Sequence, residues 1–222
     1  MEKFIPEIRY TTVDHDPFSG PAIDRTIPST EAQREVFVAS LMGKDASCAY
    51  NESVTLQLKG ALDIAKMRDA ISALIQRHEA LRSCMSADGM RVIVQENVPV
   101  EMELIDLGLT VPNAREIQLK LLADADMTTP FDLLHGPMLR VRLIKVGSEE
   151  HLLRLTAHHV LVDGWSLGIM MADISKLYSG RTLDPVTSFS EYALAVIDHA
   201  KSEDHARTEQ YWLDQFKGSL PR

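Results

Sequence analysis

Cysteine is nearly absent from this chain, with only Cys48 and Cys84 in 222 residues. Two thiols that far apart make neither a disulfide framework nor a metal site, and the reducing cytosol is the expected compartment. Positive charge is also in short supply. Lys and Arg number 23 against 32 Asp and Glu, a formal net charge of -9. Such an acidic surface repels phosphate, which argues against nucleic acid as a partner. No apolar run reaches the length needed to cross a bilayer, so no membrane partner is expected. The opening Met1-Glu2-Lys3-Phe4-Ile5-Pro6 lacks the apolar core of a signal peptide. No internal repeat is found. What remains is a chain with 45% hydrophobic residues, the ordinary share for a soluble globular protein, and long enough for a sizeable core.

The pattern divides the chain early. Pro6, Pro17, Gly20, Pro21 and Pro28 interrupt any period, so residues 1–28 are expected to be a linker or arm. Residues 29–222 then read as one unit. Ser29 or Thr30 is placed to cap a helix through Ala32, Val36 and Leu41. Val54, Leu56 and Leu58 alternate with polar residues as in a half-buried strand, and Gly60 ends it. Asp63 caps a helix whose face holds Ile64, Met67, Ile71, Leu74 and Ile75. A hairpin is expected from Leu81–Met85 to Met90–Gln95 around Asp88-Gly89, with a further strand at Val100–Ile105. Residues 113–126 read as a helix with Ile117, Leu121 and Leu122 on one face. Strands follow at Met138–Val146 and Leu152–His159, then a helix through Leu167, Met170, Ile174 and Leu177 that Gly180 stops. Two helical segments, 189–201 and 204–217, close the chain. Helices mixed with antiparallel hairpins make the fold class α+β.

Chemistry concentrates at Thr156-Ala157-His158-His159-Val160-Leu161-Val162-Asp163-Gly164-Trp165-Ser166. Neighbouring strand side chains point to opposite faces, so one histidine can face a cleft while the other packs behind. An unperturbed imidazole titrates near pH 6.5 and can take a proton from an attacking amine or hydroxyl, or hold that nucleophile by a hydrogen bond. Asp163-Gly164 suits a tight turn, with glycine supplying the backbone freedom. Ser166 is placed to cap the next helix. Asp163 either orients a ring or pairs with an arginine. On spacing alone, a packed core histidine remains the commoner explanation of such a pair.

The motif His158-His159-Val160-Leu161-Val162-Asp163-Gly164 resembles the His-His-x-x-x-Asp-Gly signature of non-ribosomal peptide synthetase condensation domains. Supporting stretches stand in the family's order. Ser29-Thr30-Glu31-Ala32-Gln33 resembles its opening motif and Arg77-His78-Glu79-Ala80-Leu81-Arg82-Ser83 its second. Pro130-Phe131-Asp132, Gly136-Pro137-Met138-Leu139-Arg140 and Tyr211-Trp212-Leu213 resemble later segments. The short motif is moderately specific and the ordered set highly so, over residues 28 to 222. Departures exist: Phe37 or a neighbour stands where the first motif usually has Trp, and Phe189-Ser190-Glu191-Tyr192-Ala193 matches the fourth motif loosely.

The resemblance implies a chloramphenicol-acetyltransferase-like lobe, a mixed or antiparallel sheet packed with helices. The family's fold has two such lobes around a tunnel. The later motifs are missing here, so the chain is expected to be an excised N-terminal lobe, with the C-terminal lobe as its absent partner and little activity alone. The implied reaction joins a donor thioester to an acceptor amine, each presented on the phosphopantetheine arm of an upstream or downstream carrier protein, with no intrinsic cofactor. His159 becomes the central residue, as base or as positioning group, and His158 supports the loop from behind. Asp163 is expected in a salt bridge, with Arg77 or Arg82 as partner, and Gly164 to bring its amide near the reacting group. A stand-alone acyltransferase with a soluble thioester donor, or a carrier-docking module without turnover, are the alternatives. Gly164-Trp165-Ser166-Leu167-Gly168 also fits the hydrolase elbow Gly-x-Ser-x-Gly, but only His199 and His205 follow it and too little chain remains for that fold.

Overall fold

A computed structural model describes residues 20–217. The described chain runs β1 (Ile23–Pro28), α1 (Glu31–Ser40), α2 (Lys44–Cys48), β2 (Asn51–Lys59), α3 (Ile64–Arg77), a 3-10 turn (Glu79–Arg82), β3 (Ser83–Met85), β4 (Arg91–Gln95), β5 (Met102–Asp106), α4 (Pro112–Thr128), β6 (Leu139–Lys145), β7 (Glu150–His158), α5 (Gly164–Tyr178), α6 (Phe189–His199) and α7 (Glu203–Gln215). This is the α+β architecture expected of the sequence. The strands form a four-stranded sheet in the order β2-β7-β6-β5 and a three-stranded sheet in the order β1-β4-β3. All pairs are antiparallel except β5 with β6.

The larger sheet has two unlike faces, and strand periodicity assigns them. On β2, Val54, Leu56 and Leu58 share a face with Leu153, Leu155 and Ala157 of β7 and with Leu139, Val141 and Leu143 of β6. This face meets Met67, Ile71 and Leu74 of α3 and Met170 and Ile174 of α5 in the main core. The opposite face carries Arg140, Arg142 and Ile144 of β6 and Leu152, Arg154 and Thr156 of β7. It packs on α4 through Leu119 and Leu122. There the buried Asp126 carboxylate bonds Arg142 and Arg154, the latter at 2.8 Å.

Three sequence expectations change here. Ile23–Pro28 belongs to the sheet rather than to an arm: it pairs with β4 as an edge strand, where the missing N–H of Pro28 costs little. Residues 1–19 of that expected arm lie outside the described residues. On α4, Leu122 of the expected face turns inward, but Ile117 and Leu121 are solvent-exposed, and Arg115, Leu119 and Asp126 join Leu122 on the inner side. On α1, Val36 packs against the core beside the buried Gln33, Phe37 and Ser40, while Ala32 and Leu41 are exposed. Thr30 caps α1 as expected, in a capping box with Gln33.

The small sheet is keyed to α1 at one point. Gly89, in the β3–β4 turn, has φ +70, and a Cβ added there would lie 2.6 Å from the Phe37 ring. Only glycine satisfies both the backbone and the contact.

Candidate active site

The β7 strand ends at the histidine pair. His158 faces the α4 side of the sheet and is fully buried, with Phe131 edge-on at 6.1 Å between ring centroids. Its Nδ1 accepts the Val160 N–H at 3.2 Å, so the neutral ring carries its proton on Nε2. Burial pushes its pKa down to about 4, and its Nε2 is buried without a hydrogen-bond partner.

His159 takes the other face. Its backbone N–H continues the ladder to the Tyr50 carbonyl at 2.8 Å, and the two rings stack 10° from parallel. The chain then turns on the His158 carbonyl, which accepts from Leu161 and Val162. Val160, Leu161 and Val162 are all buried, so this apolar triplet nails the loop into the core between the histidines and Asp163. Gln33 of α1 holds it from the side, donating to the Val160 carbonyl at 3.2 Å. The His159 Nδ1 donates back to the Val162 carbonyl at 3.0 Å, and Glu52 Oε1 lies 2.9 Å from the same nitrogen. Only acceptors surround Nδ1, so the neutral ring keeps its proton there and Nε2 is the bare nitrogen. The His159 side chain is 38% exposed and lines an open cleft of about 740 Å³. The cleft's walls come from the loop His159–Asp163, the segment Arg77–Arg82, α1 and the start of α6.

The structure rearranges the expected supporting cast. Asp163 makes no ion pair with Arg77 or Arg82. It is the N-cap of α5, accepting from the Ser166 N–H at 2.7 Å and the Ser166 hydroxyl at 2.5 Å. Those two Ser166 bonds hold its pKa below the ordinary aspartate value. Arg77 instead bonds Asp173 on α5 at 2.9 Å, a carboxylate shared with His78. Arg82 turns toward the small sheet, donating to the Gln95 carbonyl, with Asp24 of β1 at 3.6 Å. Each arginine finds a nearer acceptor on the element it packs against. Both still line the cleft.

Ser166 is therefore not the cap but the capped residue, in the first helical turn. Gly164 opens α5 without a positive φ, and a Cβ there would meet nothing within 4 Å, so no tight turn requires it. A serine inside a helix, bonded to its own cap, is no nucleophile elbow. His199 and His205 lie on α6 and α7, edge-on to each other with ring centroids 6.0 Å apart.

The residue that sequence reasoning missed is Glu52. A signal was present: Glu52 falls in step with Val54, Leu56 and Leu58, so alternation places a carboxylate on the apolar face of β2. The role of Gln33 beside the loop was missed as well. Nothing local could announce it, because the contact spans 127 residues.

The mixed sheet with the histidine loop at one strand end is a fold with solved counterparts. The starter condensation domain of rhizomide synthetase RzmA shares the fold at TM-score 0.78 and 23% identity, covering 89% of this chain and 50% of that one. The Condensation domain family model matches residues 23–222, and the chain belongs to that family, the condensation domains of non-ribosomal peptide synthetases. Surfactin synthase subunit 2 of Bacillus subtilis (strain 168) is 31% identical over 209 residues, which cover 93% of this chain and 6% of that protein. Tyrocidine synthase 3 of Brevibacillus parabrevis is 32% identical over 195 residues, 87% of this chain and 3% of the relative. The chain thus spans a small fraction of these relatives and about half of the solved domain.

Proposed function

We propose that this chain carries the histidine-bearing half of an amide-forming site, in which a carrier-bound amine attacks a carrier-bound thioester. The amine nitrogen adds to the thioester carbonyl carbon and gives a proton to His159 Nε2. The carbon–sulfur bond then breaks, and the departing thiolate takes that proton to become a free thiol. The products are an amide on the acceptor arm and a bare donor arm. The observation that carries this reading is the His159 ring itself: fixed through Nδ1 and lining the cleft, it offers a proton acceptor at Nε2. Thioester cleavage supplies the driving force, and the scheme as proposed calls on no metal or intrinsic cofactor. Phosphopantetheine belongs to the carriers, whose upstream and downstream domains are the proposed partners. We place His158 behind the loop as a neutral brace, Asp163 as the cap that starts α5, and Gly164 at the helix entrance. Arg77, Arg82 and Ser166 shape the wall. A second, C-terminal lobe closing the cleft completes this proposal.

The test is single-turnover amide formation by the native-length synthetase with loaded donor and acceptor carriers. His159→Ala is expected to slow product formation by at least about 100-fold, the usual scale for losing a general base, with the melting temperature unchanged. Wild-type rates in a folded His159→Ala protein would overturn the assignment and move weight to a docking role without turnover.

A further inference from the structure

We propose that Glu52 is a positioning residue for the reaction, forming with His159 a carboxylate–imidazole pair that fixes the ring's tautomer and offsets the charge it acquires. This rests on the reading of His159 as the proton acceptor. The geometry derives from strand pairing. Glu52 is directly opposite Ala157, and His159 is two residues further along the same face, so the pair is a diagonal cross-strand neighbour. Glu52 Oε1 is 2.9 Å from His159 Nδ1 as an ion-pair contact, while the Nδ1–H itself is directed to the Val162 carbonyl, and no hydrogen bond or further ion pair engages the Glu52 side chain among the described residues. A carboxylate on the apolar side of a strand has no packing role there, and this one is 31% exposed, so burial does not explain it either.

The chemistry follows from which atoms remain free. Glu52 is not a wall of the cleft, so it reaches the substrate only through the ring. As Nε2 takes the amine proton the imidazole becomes a cation, and a carboxylate 2.9 Å from Nδ1 attracts that charge as it develops. The Val162 carbonyl holds the same N–H but carries no net charge. Glu52 also bars the alternative tautomer, since an acceptor-only group at Nδ1 gives a proton on Nε2 no compensation. An amide in its place has both donor and acceptor ends, and its NH₂ group can bond a bare Nδ1, moving the ring proton to Nε2 where it blocks attack.

Three variants of the native-length protein separate the possibilities: Glu52→Gln, Glu52→Asp and His159→Ala, each checked for an unchanged melting temperature. Glu52→Gln is expected to lower the single-turnover rate about tenfold at saturating acceptor, with half-saturation unmoved, the scale of one charge-assisted contact. Glu52→Asp, which keeps the charge, should recover most of that loss. Nitrogen-15 spectra of histidine-labelled protein should show His159 as the Nδ1–H tautomer in the wild type and a mixture in Glu52→Gln. Wild-type rate and a single tautomer in Glu52→Gln, with His159→Ala inactive, would overturn the role of Glu52 and leave His159 standing. Activity in His159→Ala would remove both.

Discussion

Two adjacent imidazoles meet opposite fates because a strand alternates. His158 is fully buried on the α4 side and His159 opens to the cleft. The burial of His158 has a thermodynamic cost with a definite sign. Its folded pKa is about 4, while the unfolded chain titrates near 6.5, so protons bind the unfolded state first. Stability is unaffected by this group above about pH 6.5, falls as the pH drops, and levels off below about pH 4. The expected loss between neutrality and pH 4 is about 3 kcal/mol from this residue. Urea unfolding of the wild type and of His158→Asn, across that range, should differ by this amount in pH dependence. An NMR titration placing the His158 pKa near 6 would refute it. The two residues were legible in the motif; their division of labour was legible in the alternation. The identity of the buried partner groups was not, since Tyr50 and Phe131 reach His158 from elsewhere in the chain.

At the level of elements, α5 is set by its first residues. Asp163 accepts two bonds from Ser166 and thereby seats the helix directly behind the histidine loop. Asp163→Ala is expected to cost about 1 kcal/mol, the usual value for a lost N-cap. A buried arginine partner would have made the loss roughly 3–5 kcal/mol, so a chemical denaturation curve decides between the two. The sequence placed the helix, its apolar face and its end at Gly180 correctly. It misassigned the cap because an aspartate and a serine three residues apart each have the chemistry for the role. The α4 face was misread for a different reason. Leu122 turns inward as expected, but Arg115, Leu119 and Asp126, which share its side at helical spacing, include two charged residues, and the exposed Ile117 and Leu121 gave the stronger apolar signal. β5 was found as a strand, but its parallel pairing with β6 depends on a crossover through α4 that periodicity cannot specify.

For the molecule as a whole, the sheet joins an apolar core to a charged one, and Asp126 holds the second together. Its carboxylate is 1% exposed and faces both Arg142 and Arg154. Asp126→Ala would leave two largely buried guanidinium groups without their shared counter-ion, and an expected loss of about 3–5 kcal/mol should appear in equilibrium unfolding. A loss under about 1 kcal/mol would mean that Glu103 or water substitutes for it. The α+β class and the order of elements were readable because each strand and helix repeats its own period. Which residues of neighbouring strands stand opposite one another was not, because that is written in the register between strands. That register also limits how the gene can change length. A one-codon deletion absorbed by sliding β2 along β7 would exchange the strand's faces, sending Glu52 toward Arg154 and setting Asn51 beside His159. Descendants of this chain are free to gain or lose codons in the loops beyond Gly60 and Gln95, but β2 and β7 must keep their count.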